Sequence, residues 1–199
     1  MSDAATAAIR AGQPVILPTD TVYGLCADAY REAPVRRLYR LKGRGEMQPT
    51  ALLAADVDML LDAVPELRGR AGKIARALFP GPYTLVMPNP ARRFRWLAGQ
   101  RPDAIGVRVP ELPAEAQAVL DSVGAVAATS ANLPGGEDPR RLDEVPRALL
   151  DGAAAVIDVG ELPGTPSTVI DFTAVEPVVL REGAVPAAEA LARLHELVG

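Results

Sequence analysis

The sequence predicts an α/β fold, and three observations support this prediction. Short apolar runs typical of buried strands alternate with segments whose apolar residues recur at helical spacing. The 199 residues are 49% hydrophobic, which is enough for a sizeable core in one domain spanning 1–199. Several strand-like runs are also bordered by hydroxyl, amide or cationic side chains, as expected where the strands of an open α/β sheet meet a ligand crevice.

Helical patterns recur along the whole chain. The first is rich in alanine and is closed by Gly12, and the second carries Pro34 in its first turn. Asp56 precedes the third and is placed to cap it. The predicted helices cover 4–11, 33–41, 57–61, 71–78, 114–120, 143–150 and 186–198.

Strand predictions follow the short apolar runs between these helices. The first run, at 15–17, comes before Pro18, which has no N–H to donate to a sheet. We therefore expect that strand to end there and residues 19–29 to form a polar loop. The other predicted strands cover 50–54, 83–87, 105–110, 125–129, 154–158, 166–171 and 178–183, and the 19 Pro and 17 Gly imply many turns between elements.

Composition excludes several classes of function. A net charge of −4 argues against a general nucleic-acid coat or a membrane-surface binder, which favour a basic balance. Cys26 is the only cysteine, so no intramolecular disulfide and no cysteine metal cluster can form, and a reducing cytoplasm is expected. The first eleven residues lack the basic start and apolar stretch of a signal peptide, and no apolar run approaches the length of a membrane span.

The single histidine, His195, lies near the C-terminus in a helical pattern, and we expect it on the surface. Catalytic triads, Cys–His pairs and His-rich zinc sites all need histidine at the reacting centre. Cys26 has no base nearby in the sequence and is expected to be a small buried residue. An enzyme of this sequence would therefore work by positioning, cations and hydrogen bonds.

Polar groups at the ends of predicted elements form the candidate site. Lys42 and Arg44 lie between glycines after a helix; they suit an anion that must be held, although cations at a helix C-terminus also stabilise the helix itself. Arg108 stands within a strand, where a charge needs an anion or a wet cleft. Together these positions describe a concave site for an anionic ligand, built from Thr19, Thr21, Lys42, Arg44, Arg108, Ser130, Asn132, Ser167, Thr168 and Arg181.

A second cluster combines cations with the only tryptophan. Arg92, Arg93, Arg95 and Arg101 surround Trp96, an arrangement that either stacks a nucleobase or forms a solvated loop around a buried ring. The structural interpretation is favoured. The Walker phosphate loop and the dinucleotide fingerprint are both absent, so ATP, if bound, is held without the usual loop.

At these residues the chain resembles the YrdC-like family of threonylcarbamoyl-AMP synthases, from Ile16 to about Gly183. Each motif is weak alone, but together and in this order they are highly specific. The Lys-x-Arg and Ser-x-Asn pair is the usual mark of the family. The motifs are Pro-Thr-Asp-Thr-Val-Tyr-Gly-Leu at 18–25, Lys-Gly-Arg at 42–44, Phe-Pro-Gly-Pro-Tyr-Thr-Leu-Val at 79–86, Val-Arg-Val-Pro at 107–110, Ala-Thr-Ser-Ala-Asn at 128–132, Pro-Ser-Thr-Val-Ile-Asp at 166–171 and Leu-Arg-Glu-Gly at 180–183.

The resemblance implies a twisted, largely mixed or parallel open sheet with flanking helices and a deep cationic cavity. It implies synthesis of threonylcarbamoyl-AMP from L-threonine, bicarbonate and ATP, with Mg²⁺ accompanying ATP and no metal ligands from the protein. The product feeds a tRNA modification through separate transfer proteins, with tRNA binding weak or indirect. By resemblance, threonine contacts Thr21, Tyr23, Arg108 and Ser167; the catalytic residues are Lys42, Arg44, Ser130 and Asn132, which also face the nucleotide together with Arg181.

The chain departs from the family pattern after the Lys-x-Arg motif. Gly45 stands where many members have proline, Thr50 follows Pro49 where many have leucine, and Leu53 replaces a histidine of some members. Two alternatives stay open: a non-catalytic YrdC-like module that binds RNA or a nucleotide, and a carbamoyl-adenylate enzyme of the hydrogenase-maturation type. We expect alanine at Lys42 or Arg44 to remove activity with little change in melting temperature.

Overall fold

The computed structural model describes residues 1–45 and 47–198, and its centre is a nine-stranded sheet of mixed direction. The strands are β1 Val15–Pro18, β2 Tyr23–Asp28, β3 Ala51–Ala54, β4 Tyr83–Pro88, β5 Ala104–Arg108, β6 Ala125–Ser130, β7 Ala155–Val156, β8 Thr168–Asp171 and β9 Val178–Arg181. Their order across the sheet is β7-β1-β2-β6-β3-β5-β4-β8-β9. Pairs β1–β7, β3–β5 and β4–β8 are parallel and the other neighbours are antiparallel, which confirms the predicted mixed α/β fold.

Helices pack on both faces of this sheet. Their bounds are α1 Ser2–Arg10, α2 Glu32–Lys42, α3 Val57–Ala63, α4 Arg70–Leu78, α5 Ala114–Val123, α6 Arg147–Gly152 and α7 Ala187–Val198, with short 3₁₀ turns at Pro65–Leu67, Arg95–Leu97 and Leu142–Glu144. The predicted cap of α3 is confirmed, since the Asp56 carboxylate accepts the Met59 N–H at 2.7 Å. No helix of the described residues is long and apolar enough to cross a bilayer.

Strand side chains alternate between two separate cores. On one face, residues such as Leu25, Leu52 and Val107 pack with helices α2, α3, α4, α6 and α7. On the other face, Leu17 and Val126 pack with α1 and α5. Because successive side chains point to opposite faces, each strand contributes to both layers.

Helices α1 and α5 cover only part of their face. The outward residues of β4 and β5 on that same face include Thr84, Gly106 and Arg108, which are half-buried rather than packed in an aliphatic core. Leu53 belongs both to the core under α1 and α5 and to the boundary of this uncovered part. The incomplete helical layer leaves room for a cavity directly on the sheet.

The expected polar loop at 19–29 is wrong in its second half. Residues 23–28 form strand β2, which pairs with β1 in register from Val15 opposite Cys26 to Pro18 opposite Tyr23. Pro18 is thus the last residue of β1 rather than the residue after it, a terminal position where its missing N–H is tolerated. The polar residues 19–22 form the turn of a hairpin.

Several other predicted elements are shorter than expected, including both of those in the segment 143–158. The strand at 154–158 is reduced to two residues, and the helix at 143–150 begins at Arg147, directly after Pro146. Proline has no N–H and clashes with the preceding turn, so it belongs at a helix start and not in its interior. The segment before it forms a 3₁₀ turn instead.

The two minor residue predictions are confirmed. His195 is exposed, and Cys26 is buried within the sheet, where burial raises the pKa of its thiol to about 12. The structural interpretation of the tryptophan cluster is also supported, because the Trp96 indole donates to the Ala29 carbonyl at 2.9 Å. Arg93 and Arg101 are paired with Glu66 and Asp171.

Candidate functional site

A cavity of about 540 Å³ lies on the part of the sheet that α1 and α5 leave uncovered. Its floor is formed by residues of the central strands, among them Leu53, Gly106 and Ala128. Among the described residues that line it, the charged side chains are Arg44, Arg101, Arg108, Asp138 and Arg181. Three of the predicted cations, Arg44, Arg108 and Arg181, therefore border one concave surface, where an excess of guanidinium groups attracts anions.

Arg108 projects from the end of β5 toward the β1–β2 turn. Its Nη2 donates to Asp20 Oδ1 at 2.8 Å and to Thr21 Oγ1 at 3.3 Å. Burial shifts both members of this pair toward their neutral forms, lowering the pKa of Arg108 and raising that of Asp20, with their mutual attraction opposing the shift. Arginine stays protonated because its ordinary pKa is so high. The site therefore holds a desolvated cation ready for a second anion.

The hydroxyl of Thr21 is held by its neighbours. Thr19 Oγ1 donates to the Val22 carbonyl at 2.8 Å and lies 3.0 Å from Thr21 Oγ1. Thr21 Oγ1 accepts from Arg108 Nη2 and also hydrogen-bonds the Asp20 carboxyl. The hairpin turn thus fixes the position of a cavity hydroxyl.

Ser167 and Arg181 form the opposite wall, at β8 and β9. Ser167 Oγ lies 2.8 Å from Thr84 Oγ1 of β4, and Arg181 Nη2 donates to the Ser167 carbonyl at 2.8 Å and to its hydroxyl at 3.2 Å. The charge of Arg181 contributes to the lowered pKa of Arg108. Two arginines from different strands therefore act on the same enclosed volume.

Arg44 closes the cavity beside β6 and β3. Its Nη1 donates to Thr129 Oγ1 at 2.9 Å, and its Nη2 donates to the Pro49 carbonyl. Gly43, with a φ of 66°, adopts the left-handed conformation that ends α2 and turns the chain toward the cavity. Glycine is therefore favoured at position 43 because the backbone there is left-handed.

Lys42 is held entirely by the protein. Its ammonium donates to the Ser130 carbonyl at 2.5 Å, to the Asn132 carbonyl at 2.8 Å and to Asn132 Oδ1 at 2.7 Å. Ser130 Oγ donates to the same Asn132 oxygen at 2.7 Å. Burial is the main cause that lowers the pKa of Lys42 to about 8. The Lys-x-Arg and Ser-x-Asn motifs therefore form one hydrogen-bonded cluster, the Lys42–Ser130–Asn132 cluster.

The structure brings most of the predicted site residues together. Thr21, Arg44, Arg108, Ser130, Ser167 and Arg181 line the cavity. Lys42 and Asn132 are not among its lining residues and lie behind Ser130. Their assigned roles stay predictions, with the geometry of Lys42 and Asn132 favouring a positioning role.

Tyr23 requires a correction. It is fully buried in the core on the opposite face of the sheet, where its hydroxyl donates toward Asp158 Oδ1 at 2.9 Å or the Gly160 carbonyl at 2.8 Å. It therefore does not form the cavity wall. Strand alternation explains the error, because in β2 the residue after the polar turn points away from Gly24, which does line the cavity.

Several residues that line the cavity were not among the predicted site residues. Thr84 interrupts the apolar run of β4 on the cavity face, and this alternation was visible in the sequence. Thr50 directly precedes β3, and Asp138 follows the Ser-x-Asn motif. Only the tertiary structure brings these two residues to the cavity. Asp138 accepts from Asn132 Nδ2 at 3.0 Å, which ties it to the Lys42–Ser130–Asn132 cluster.

The donor set does not form a protein cage for a metal ion. Within residues 1–45 and 47–198, no group of three or more His, Cys, Asp or Glu side chains is arranged to hold one. Asp138 is the carboxylate that borders the cavity. This fits Mg²⁺ that arrives with phosphates and keeps water ligands, and it does not fit a resident ion held by protein groups alone.

Residues 7–183 match the Sua5/YciO/YrdC family, which carries the description telomere recombination. A putative threonylcarbamoyl-AMP synthase of Mycobacterium tuberculosis is 34% identical over 196 residues, covering 98% of this chain and 88% of its own length.

Two solved structures share the fold. Pyrococcus abyssi Sua5 complexed with L-threonine aligns with a TM-score of 0.86 at 35% identity, over 96% of this chain and 56% of that chain. Escherichia coli YciO aligns with a TM-score of 0.81 at 29% identity, over 92% of this chain and 89% of its own. This chain thus spans little more than half the length of the P. abyssi protein.

Proposed function

Because the chain belongs to the Sua5/YciO/YrdC family, we propose that it condenses L-threonine, bicarbonate and ATP into threonylcarbamoyl-AMP and releases pyrophosphate. The observation that carries this proposal is the shared cavity, in which Arg44, Arg108 and Arg181 face one volume although they are far apart in sequence. The threonylcarbamoyl-AMP synthases at 32–36% identity and the P. abyssi complex with L-threonine support the same reaction.

The proposed division of the cavity follows its two sides. On the β5 and β8 side, the free nitrogens of Arg108 would bind the threonine carboxylate, with Thr21 and Ser167 beside it. On the β6 side, Arg44 and Ser130 would face the nucleotide phosphates, and Arg181 would approach them from β9. Charge-assisted hydrogen bonds of this kind are the strongest available to a protein without a metal cage.

The main contribution of the protein to this reaction would be to bind and align the reactants. A neutral threonine amine attacks the carbon of bicarbonate, one C–O bond breaks, and the hydroxyl leaves with an amine proton as water. The resulting carbamate oxygen then attacks the α-phosphate, and the bond to pyrophosphate breaks. Neither step needs an enzyme nucleophile, and alignment alone contributes roughly 7–11 kcal/mol in favourable cases. Guanidinium groups stabilise the charge that develops on the phosphate. Mg²⁺ bound through phosphates and water would supply further charge neutralisation.

The proposal extends to partners and location. The product would pass to separate proteins that transfer the threonylcarbamoyl group to tRNA, with tRNA contact by this chain weak or indirect, in the cytoplasm. An acidic net charge of −4 supports the indirect contact. The alternative is a non-catalytic module that binds RNA or a nucleotide, and the assembled cationic cavity favours the enzyme.

The test is pyrophosphate release by the purified protein with ATP, Mg²⁺, bicarbonate and L-threonine. We expect release that stops when either threonine or bicarbonate is omitted. Equal turnover with serine, or without any amino acid, would contradict the proposed substrate. Nucleotide binding without turnover in the complete mixture would favour the non-catalytic module.

A further inference from the structure

Four buried side-chain atoms of the described residues have no hydrogen-bond partner; three belong to residues that line the cavity, and the fourth belongs to Asp20, the ion-pair partner of the cavity residue Arg108. They are Asp20 Oδ2, Arg44 Nε, Thr50 Oγ1 and Arg108 Nε. Nearly all buried polar groups in folded proteins are paired, so an unpaired one calls for an explanation. Their confinement to one place indicates that the cavity is built for partners other than protein groups.

Thr50 differs from the other three residues. Asp20, Arg44 and Arg108 each make further hydrogen bonds through their remaining atoms, whereas the single polar side-chain atom of Thr50 makes none. The residue is 3% exposed and lines the cavity. A buried hydroxyl without a partner destabilises the folded protein, and valine would fill the same space without that cost.

The position of Thr50 in the sheet indicates what it contacts. It directly precedes β3, which lies between β6, bearing Ser130, and β5, bearing Arg108. Arg44 donates to the carbonyl of Pro49, the neighbouring residue, so the guanidinium and the Thr50 hydroxyl border the same stretch of cavity wall. A one-carbon unit that must lie between an amino acid and an α-phosphate belongs at this middle strand.

We propose that Thr50, together with Arg44 Nε, forms the binding site for the bicarbonate-derived oxyanion. The proposal rests on the function proposed above and names the donors for its third substrate. Thr50 Oγ1 is shielded from solvent in the structure, and rotation about the Cα–Cβ bond to another staggered position would turn it toward the cavity that the residue lines. The same donor chemistry also suits a threonine carboxylate or a phosphate oxygen, and the experiment separates these three.

The test compares Thr50→Val, Thr50→Ser and wild type in decarbonated buffer with added bicarbonate. We expect Thr50→Val to raise the KM for bicarbonate by about 10- to 100-fold, the usual value of a hydrogen bond to a charged acceptor, and to leave the KM values for threonine and ATP within about twofold. Thr50→Ser keeps the hydroxyl and should remain near wild type. Thr6→Val, a buried threonine on α1 away from the cavity, is the matched control.

Melting temperature gives an independent readout. Thr50→Val should melt at the same temperature as wild type or higher, because it removes an unpaired buried hydroxyl while keeping the side-chain shape. A merely structural threonine would instead lower the melting temperature when replaced. An unchanged KM for bicarbonate, or a rise in the KM for threonine or ATP in its place, would overturn the proposal.

A binding experiment keeps the outcome separate from the proposed function. The carbon NMR line of isotopically labelled bicarbonate should broaden with wild-type protein and sharpen again with Thr50→Val, with neither ATP nor threonine present. If wild type releases no pyrophosphate, the proposed function fails, and this experiment alone tests the bicarbonate-binding site. In that case, line broadening that is seen with wild type and lost with Thr50→Val supports the site, and equal line widths with the two proteins refute it.

Discussion

One face of the sheet has two halves that differ in what covers them. Under α1 and α5 the outward side chains are aliphatic, such as Leu17 and Val126, and they meet Val119 and Leu120 in a closed core. Over β4, β5 and β8 the outward side chains mix the aliphatic Val86 and Val169 with Thr84, Gly106 and Arg108, and they line the cavity. The same strand alternation therefore produces stability in the covered half and a binding cavity in the open half.

The largest effect on stability is expected in the covered half. Leu120 is fully buried between α5 and the sheet, and Leu120→Ala should destabilise the protein by about 2–5 kcal/mol through lost burial and a new cavity. Denaturant unfolding measures this loss. Pyrophosphate release per folded molecule should stay at the wild-type value. The volume-conserving Leu120→Met is the control, and reduced activity of the folded alanine variant would show that the two halves are coupled.

The open half should respond in activity rather than stability. Arg108→Lys keeps a cation for Asp20 but loses the planar fork, so kcat/KM for threonine should fall about 100-fold while the melting temperature changes little. Steady-state kinetics with varied threonine measure the effect. A threonine KM that is unchanged would remove Arg108 from the threonine side of the cavity.

Lys42 belongs to neither half and sharpens the comparison. Lys42→Met leaves the Ser130 and Asn132 carbonyls without their donor, so we expect a stability loss of about 1–3 kcal/mol together with reduced activity. This changes the expectation from sequence that its replacement would hardly alter the melting temperature. Lys73→Met, at an exposed position, is the matched control. A Lys42→Met protein with wild-type stability would show that its ammonium is not structural.

The pH dependence of Lys42 supplies a second readout. Below about pH 8 the lysine is protonated in both the folded and the unfolded chain. Between about 8 and its ordinary value of 10.5 the unfolded chain keeps a proton that the folded chain has lost, so stability rises with pH in this window. Wild type should therefore gain stability relative to Lys42→Met from pH 8 upward, while activity falls as the neutral amine loses one donor. Parallel stability profiles for the two proteins would contradict this.

The sequence predicted the fold class and most of the cavity because both depend on local patterns. Polar residues such as Thr21 and Ser167 border apolar strands, and Arg108 ends an alternating one, so each was recognisable from the sequence. Strand β2 was missed because its small residues, Gly24 and Cys26, follow a polar turn and have no strong strand propensity; pairing with β1 and β6 specifies it instead.

The roles of supporting residues were beyond sequence reasoning for a different reason. Lys42 and Arg44 are two positions apart and both cationic. Lys42 donates all its hydrogen bonds to protein groups, whereas Arg44 borders the cavity. That difference arises from contacts with residues about 90 positions away, as in the Lys42–Asn132 hydrogen bond. That the Thr50 hydroxyl is buried and unpaired is likewise recognisable only when every possible hydrogen-bond partner has been placed.

The outermost strand carries a consequence for access. All four residues of β9 are exposed, including Leu180, and among the described residues the strand pairs with β8 alone. Yet β9 also supplies Arg181 to the cavity wall, so a cation of the cavity is carried by an exposed edge strand of the sheet. Amide exchange in β9 should accordingly be faster than in β5, and any molecule that pairs with its vacant edge would alter the reach of Arg181.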